Sequence, residues 1–76
     1  MDATDWQGLV KGMIKAEMKR RNMTYEQLSA KLAEIGVQDT AQNLRTKVSR
    51  GGFSAVFFVQ CLRAMGCQTV RLADAE

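Results

Sequence analysis

No histidine occurs anywhere in the chain, which removes the commonest general base, the commonest metal ligand and every triad built on an imidazole. Only two cysteines are present, Cys61 and Cys67. They lack the second pair or the histidines that a zinc site needs, so no metal is expected. Cys61 falls inside an apolar run, where a thiol behaves as a small buried hydrophobe rather than a redox centre. Met1 leads into acidic residues rather than a basic and then apolar signal segment, which predicts a cytoplasmic protein without a structural disulfide. The longest mostly apolar stretch runs from Phe53 to Leu62, about half of what a bilayer span needs. It predicts a core helix and no membrane partner. Proline, internal repeats and low-complexity linkers are missing as well. So are a glycine-rich phosphate loop and a carboxylate pair on a common face, so the expectation is a non-enzyme with no catalytic residue and no cofactor.

What remains is 76 residues, enough for one small domain around one modest core. Hydrophobic residues at 46% and charged residues at 25% are ordinary globular proportions and argue against disorder. The formal net charge is only +3, but the charges are unevenly placed. Asp2, Asp5, Asp74 and Glu76 lie at the two ends, so residues 6–73 carry eleven basic against four acidic side chains, a net +7. A basic centre of this kind suits a polyanionic partner.

Periodicity predicts an all-α fold of four compact helices, over about 5–21, 25–35, 40–50 and 55–65, with a short strand or extended tail over about 68–72. In the first helix Trp6, Leu9, Val10, Met13, Ile14 and Met18 form the expected buried stripe, and Thr4 with Gln7 is the expected capping box. Its exposed side carries Lys11, Lys15 and Lys19, then Arg20 and Arg21, and it is expected to end near Asn22. The second helix has a complete start signal, with Thr24 as N-cap, Gln27 three residues on, and Met23 and Leu28 as the staple. Leu28, Leu32 and Ile35 form its expected buried line, and Gly36 takes the left-handed position after it. Asp39 is expected to cap the third helix with Gln42 at the box position.

On the third helix, Ala41, Leu44 and Val48 lie within about 60° of one another and face the core. The opposite face presents Gln42, Asn43, Thr46, Ser49 and Arg50, flanked by Arg45 and Lys47, and no acidic residue occurs between Thr40 and Arg50. Gly51 and Gly52 terminate it, and Phe53 with Ser54 opens a fourth helix, Phe53 and Phe58 forming its staple. That fourth helix is apolar nearly all round, from Val56 and Phe57 to Leu62 and Met65, and is expected to be the central pillar of the core. After Gly66, Val70 and Leu72 alternate with Thr69 and Arg71 as in a strand, whose natural partner is the symmetric copy in a second subunit.

Two capped helices joined by a turn, the second with a polar and basic outer face, are what a helix-turn-helix requires. The run Lys19 to Leu32, KRRNMTYEQLSAKL, resembles the first and second helices of lambda-repressor-like helix-turn-helix regulators. Ser49, Arg50 and Gly51 resemble the end of their recognition helix, and Leu62 to Gly66 resembles their L-x-A-[LM]-G helix ending. The resemblance covers roughly residues 15–67. The stretch from Asn43 to Cys67 is also similar to a family of short bacterial domains of uncharacterised function that carry an N-L-R-x-K-x-S-R-G-x-F-S-A-x-F-F signature. Two departures from the lambda-repressor pattern stand out. Tyr25 replaces the glutamine that commonly begins the second helix, and the stretch from Gly36 to Gly51 is longer by about three residues.

The resemblance implies roles for individual residues. Gln42 and Asn43 have the paired donor and acceptor that read adenine, Thr46 offers a hydroxyl and a methyl, and Arg45 is the fourth base-contacting residue. Lys19, Arg20, Arg21, Thr24, Tyr25, Gln27, Lys47, Ser49 and Arg50 are the expected phosphate contacts. The implied function is sequence-specific binding of double-stranded DNA by a small bacterial or phage transcriptional regulator, a homodimer joined through residues 67–72. The alternative is a protein-interaction module, an antitoxin or inhibitor, that uses the same basic face on an acidic protein partner.

Overall fold

The structure is a computed structural model that describes residues 5–72. Four helices follow one another: α1 (Trp6–Arg20), α2 (Tyr25–Glu34), α3 (Ala41–Arg50) and α4 (Ala55–Ala64). α1 and α2 each pack against both α3 and α4. Between them lies one core of Ile14, Met18, Leu28, Leu32, Leu44, Val48, Phe57, Cys61, Leu62 and Met65. No buried polar side chain is left without a hydrogen bond among the described residues, so burial of this apolar set carries no desolvation debt.

Helix starts follow local chemistry. Thr24 and Gln27 form the expected reciprocal box: the Gln27 amide donates to the Thr24 hydroxyl at 3.1 Å, and the Thr24 amide donates to Gln27 Oε1 at 2.8 Å. Ser54 accepts from the Phe57 amide at 3.1 Å, and the Phe53 and Phe58 rings stack with centroids 6.2 Å apart. Two expected caps are replaced. Thr4 lies outside the described residues, and α1 is capped by Asp5, whose carboxylate accepts the Gly8 amide at 2.9 Å. α3 is capped by Thr40, not Asp39: the Asn43 amide donates to the Thr40 hydroxyl at 3.0 Å. Asp39 turns its carboxylate to Lys47, 2.7 Å away, an ion pair that outcompetes a neutral cap bond.

The helix stops are as expected. Asn22 and Gly36, after α1 and α2, and Gly51, after α3, have positive φ. The α2–α3 connection, residues 35–40, is longer than the three or four residues of a tight helix pair. It therefore takes up the extra length noted above. The Ser29 hydroxyl fastens it by donating to the Asp39 carbonyl at 2.6 Å.

Three expectations about burial are corrected. Trp6 and Leu9 stand exposed on α1. With fifteen residues against ten in α3 and α4, α1 is about 7 Å longer than either neighbour; its first turn meets the end of α3 through Gln7, against Gly51, which leaves Trp6 and Leu9 outside the core. Ile35 is exposed because α2 ends at Glu34; Val37, its amide bonded back to the Leu32 carbonyl, packs on the core instead. α4 is not a central pillar. It buries Phe57, Cys61 and Leu62, while Val56 and Val59 face outwards.

Residues 68–72 form no strand, since a lone strand has no ladder partner within the chain. Thr69, Val70 and Arg71 instead lie along a hollow with Met13, Ala16, Glu17, Arg20 and Leu62. No helix among the described residues is long and apolar enough to cross a membrane.

Candidate nucleic-acid interface

α3 carries the outer face that its sequence implied. Leu44 and Val48 are fully buried and Ala41 half-buried, which turns Gln42, Asn43, Ser49 and Arg50 to the surface with Arg45 and Lys47 beside them. Thr46 is half-buried, and its hydroxyl donates to the Gln42 carbonyl at 3.1 Å. Its hydrogen is thus committed; a lone pair and the methyl remain for a base edge or a thymine methyl.

Arg45 is held in place. Its guanidinium lies over the Tyr25 ring, 5.1 Å from the centroid, an attraction of about 0.5–1 kcal/mol at an exposed site. Gln42 Oε1 sits 3.5 Å from Nη1, at the limit of a hydrogen bond. Tyr25 thereby fastens the start of α2 to the first turns of α3, a link between two sets of residues that the sequence could propose only separately. Partial burial pushes the Tyr25 hydroxyl above its ordinary ionisation range, against the opposing pull of Arg45, so the phenol stays protonated and a donor at neutral pH.

The rest of the α2 start is less generous. In the capping box the Thr24 hydroxyl oxygen accepts the Gln27 backbone N–H and Gln27 Oε1 accepts the Thr24 backbone N–H, which leaves the Thr24 hydroxyl hydrogen, the Gln27 side-chain Nε2 and the free first-turn N–H groups as donors. Glu26 sits in the same turn and its carboxylate opposes an incoming phosphate. Sequence reasoning passed over this residue.

Lys47 is diverted from the outer face. Its ammonium pairs with Asp39 at 2.7 Å and lies 5.0 Å above the Phe57 ring. With Arg50, Gly52, Phe53 and Ser54 it borders a groove of about 320 Å³ at the end of α3, where both Lys47 and Arg50 are exposed to solvent. The cluster after α1 is also partly neutralised. Glu17 binds both Arg20 and Arg21, and those contacts, Arg20's hydrogen bond first, hold its carboxyl below the usual range. Arg20 lines the hollow beside Thr69 and Arg71 rather than the α3 face.

Lys11 takes their place. Its ammonium donates to the Ser49 carbonyl at 2.9 Å, spanning 38 residues of sequence. Lys15 and Lys19 follow Lys11 at one-turn spacing. The four-residue lysine repeat was a visible signal, but only the contact with Ser49 ties it to α3.

These features define a small four-helix domain with one basic, carboxylate-free helix face. A family model described as a domain of unknown function (DUF6471) matches residues 6–70, and the chain belongs to that family. Comparisons with curated proteins and with solved structures return no match.

Proposed function

We propose that the protein is a sequence-specific double-stranded DNA-binding protein of lambda-repressor-like helix-turn-helix type. In this reading it is a cytoplasmic bacterial or phage transcriptional regulator that acts as a homodimer and places α3 in the major groove. One observation carries the reading: from Ala41 to Arg50 the outer face of α3 is polar, basic and free of carboxylates, and the start of α2 is fastened beside it through Tyr25 and Arg45.

Gln42 and Asn43, in the first turn of α3, present side-chain amides to base edges, as an N-terminal recognition turn requires. Arg45 is pre-oriented by its stack on Tyr25, which lowers the entropy lost when it meets a guanine edge or a phosphate. Arg50 holds a phosphate at the other end of the helix. Lys11 and Lys15 on the neighbouring helix extend the positive surface along the backbone path, and Ser49 lies between them and Arg50.

Fluorescence anisotropy on duplex DNA at about 50 mM salt tests the reading, with Arg45→Ala, Thr46→Ala and Arg50→Ala in parallel. Binding that falls steeply with salt and weakens in all three variants is expected. An affinity indifferent to those changes sinks the proposal. Weak, unspecific DNA binding together with a co-purifying protein whose footprint covers α3 selects the interaction-module reading instead.

A further inference from the structure

The groove at the end of α3 has a lining that contact with DNA does not use. It is formed by Lys47, Arg50, Gly52, Phe53, Ser54 and Phe57, and no carboxylate is among them. A surface that holds a phosphate needs cations and amide donors, not an aromatic wall. Here two rings supply one: Phe53 and Phe57 lie with centroids 5.2 Å apart and planes tilted by 54°, and Phe53 is held further by its stack on Phe58. Phe57 is only 6% exposed and carries the Lys47 ammonium 5.0 Å above its face. Phe53, half-buried, is therefore the ring that a guest meets.

The charges define the guest. Lys47 is already paired with Asp39 at 2.7 Å, whereas Arg50 is exposed and makes no hydrogen bond or ion pair among the described residues. One uncompensated guanidinium matches a single negative charge, and its planar fork matches the two oxygens of a carboxylate. Beside it the Ser54 hydroxyl accepts the Phe57 amide at 3.1 Å and keeps its hydrogen to donate. A groove of about 320 Å³ stands at the lower end of small-molecule sites and suits a body of about one or two rings.

We infer that this groove is a ligand site for a small aromatic carboxylate, whose ring lies against Phe53 and whose carboxylate meets Arg50 and Ser54. Arg50 is also the proposed phosphate contact at this end of α3, so an occupied groove withdraws that cation from DNA. Only this last consequence rests on the proposed function; the site does not.

Titration of the full chain with 2-naphthoate, followed in proton–nitrogen correlation spectra without DNA, tests it. Saturable shifts concentrated on the backbone amides of residues 50–57 and on the Arg50 side-chain N–H are expected, with a Kd of about 1 mM or below. Arg50→Gln, a solvent-facing change whose fold is checked by far-UV circular dichroism, is expected to raise that Kd at least tenfold, and Phe53→Leu a few-fold. Acetate, the charge without the ring, and 2-naphthol, the ring without the carboxylate, are expected to bind at least tenfold more weakly than 2-naphthoate. Shifts that stay linear to about 10 mM, that centre on the hollow between α1 and α4, or that survive Arg50→Gln overturn the inference. So does acetate binding as tight as that of 2-naphthoate, which marks a counter-ion only.

The two readings fail separately. A chain that binds 2-naphthoate but not duplex DNA keeps the ligand site and loses the DNA-reading helix, and duplex binding without 2-naphthoate binding does the reverse. Where both bind, saturating 2-naphthoate is expected to weaken duplex binding about as much as Arg50→Ala does; an unmoved duplex affinity overturns the shared use of Arg50.

Discussion

Gly51 is where the end of α3 meets the start of α1, and replacing it with alanine separates backbone conformation from close packing. Gly36, Gly51 and Gly66 all have positive φ, at 85°, 74° and 80°. A methyl group at Gly36 or Gly66 meets nothing within 4 Å, whereas at Gly51 it lies 2.8 Å from the Gln7 carbonyl oxygen and 3.2 Å from the Gln7 carbonyl carbon and Cβ. Alanine at positive φ costs about 1 kcal/mol, partly offset by the reduced freedom of the unfolded chain. Gly36→Ala and Gly66→Ala are therefore expected to lose about 1 kcal/mol or less. Gly51→Ala must also displace the backbone of α1, an overpacking cost of about 1–3 kcal/mol, for a total near 3 kcal/mol. A chain of this length has roughly 4–11 kcal/mol to lose. Urea unfolding followed by circular dichroism reads the difference, with unchanged slope and a midpoint lowered by about 2–3 M for Gly51→Ala at a slope near 1 kcal/mol/M. A Gly51→Ala variant within about 0.5 kcal/mol of Gly36→Ala refutes the contact between Gly51 and α1, and with it the seating of Lys11 on Ser49.

The cap exchange at α3 gives a second comparison. Thr40→Ala is expected to cost about 1 kcal/mol through the lost bond to the Asn43 amide, and Asp39→Asn less, since the partner ammonium is half exposed; urea midpoints in the reverse order contradict the assignment. Burial, reinforced by the nearby Asp39 carboxylate and opposed by Lys47, pushes the Cys61 thiol up to about 12. A thiol raised in the folded state contributes its full stability below its unfolded pKa near 9 and loses it as pH rises towards 12. Thermal melts of the wild type are thus expected to fall relative to Cys61→Val through that window, by up to about 4 kcal/mol, and parallel curves contradict the burial argument.

Much of this fold is legible in the residues, because capping and left-handed stops are local. Thr24 with Gln27, Ser54 at the start of α4 with its Phe53–Phe58 staple, and the glycines after α2 and α3 require only neighbours to be read correctly. Asp39 reads as a cap in the sequence because its competing partner, Lys47, stands eight residues away. Burial was legible only in part. Periodicity identifies an apolar stripe but not how much of it its neighbours can cover, so a stripe that includes Trp6 and Leu9 outruns the core that buries Ile14 and Met18. Val56 and Val59 read as core for a similar reason: an apolar helix has two sides, and the described residues cover one.

The candidate site divides the same way. The absence of acids along α3 is visible in the sequence and gives the face its character. The stack of Arg45 on Tyr25, the capture of Arg20 and Arg21 by Glu17 and the reach of Lys11 to Ser49 decide which cations serve that face. They depend on how side chains and helices settle against one another, and spacing alone leaves them open.

Chemical-shift mapping on the isotopically labelled chain addresses the central claim most directly, since it reports where duplex DNA touches. Titration at low salt is predicted to move the backbone amides of residues 24–27 and 41–52 and the side-chain amides of Gln42 and Asn43, leaving residues 56–63 of α4 in place. Shifts concentrated on α4, or no shifts at all with intact duplex, contradict the assignment of α3 as a DNA-reading helix.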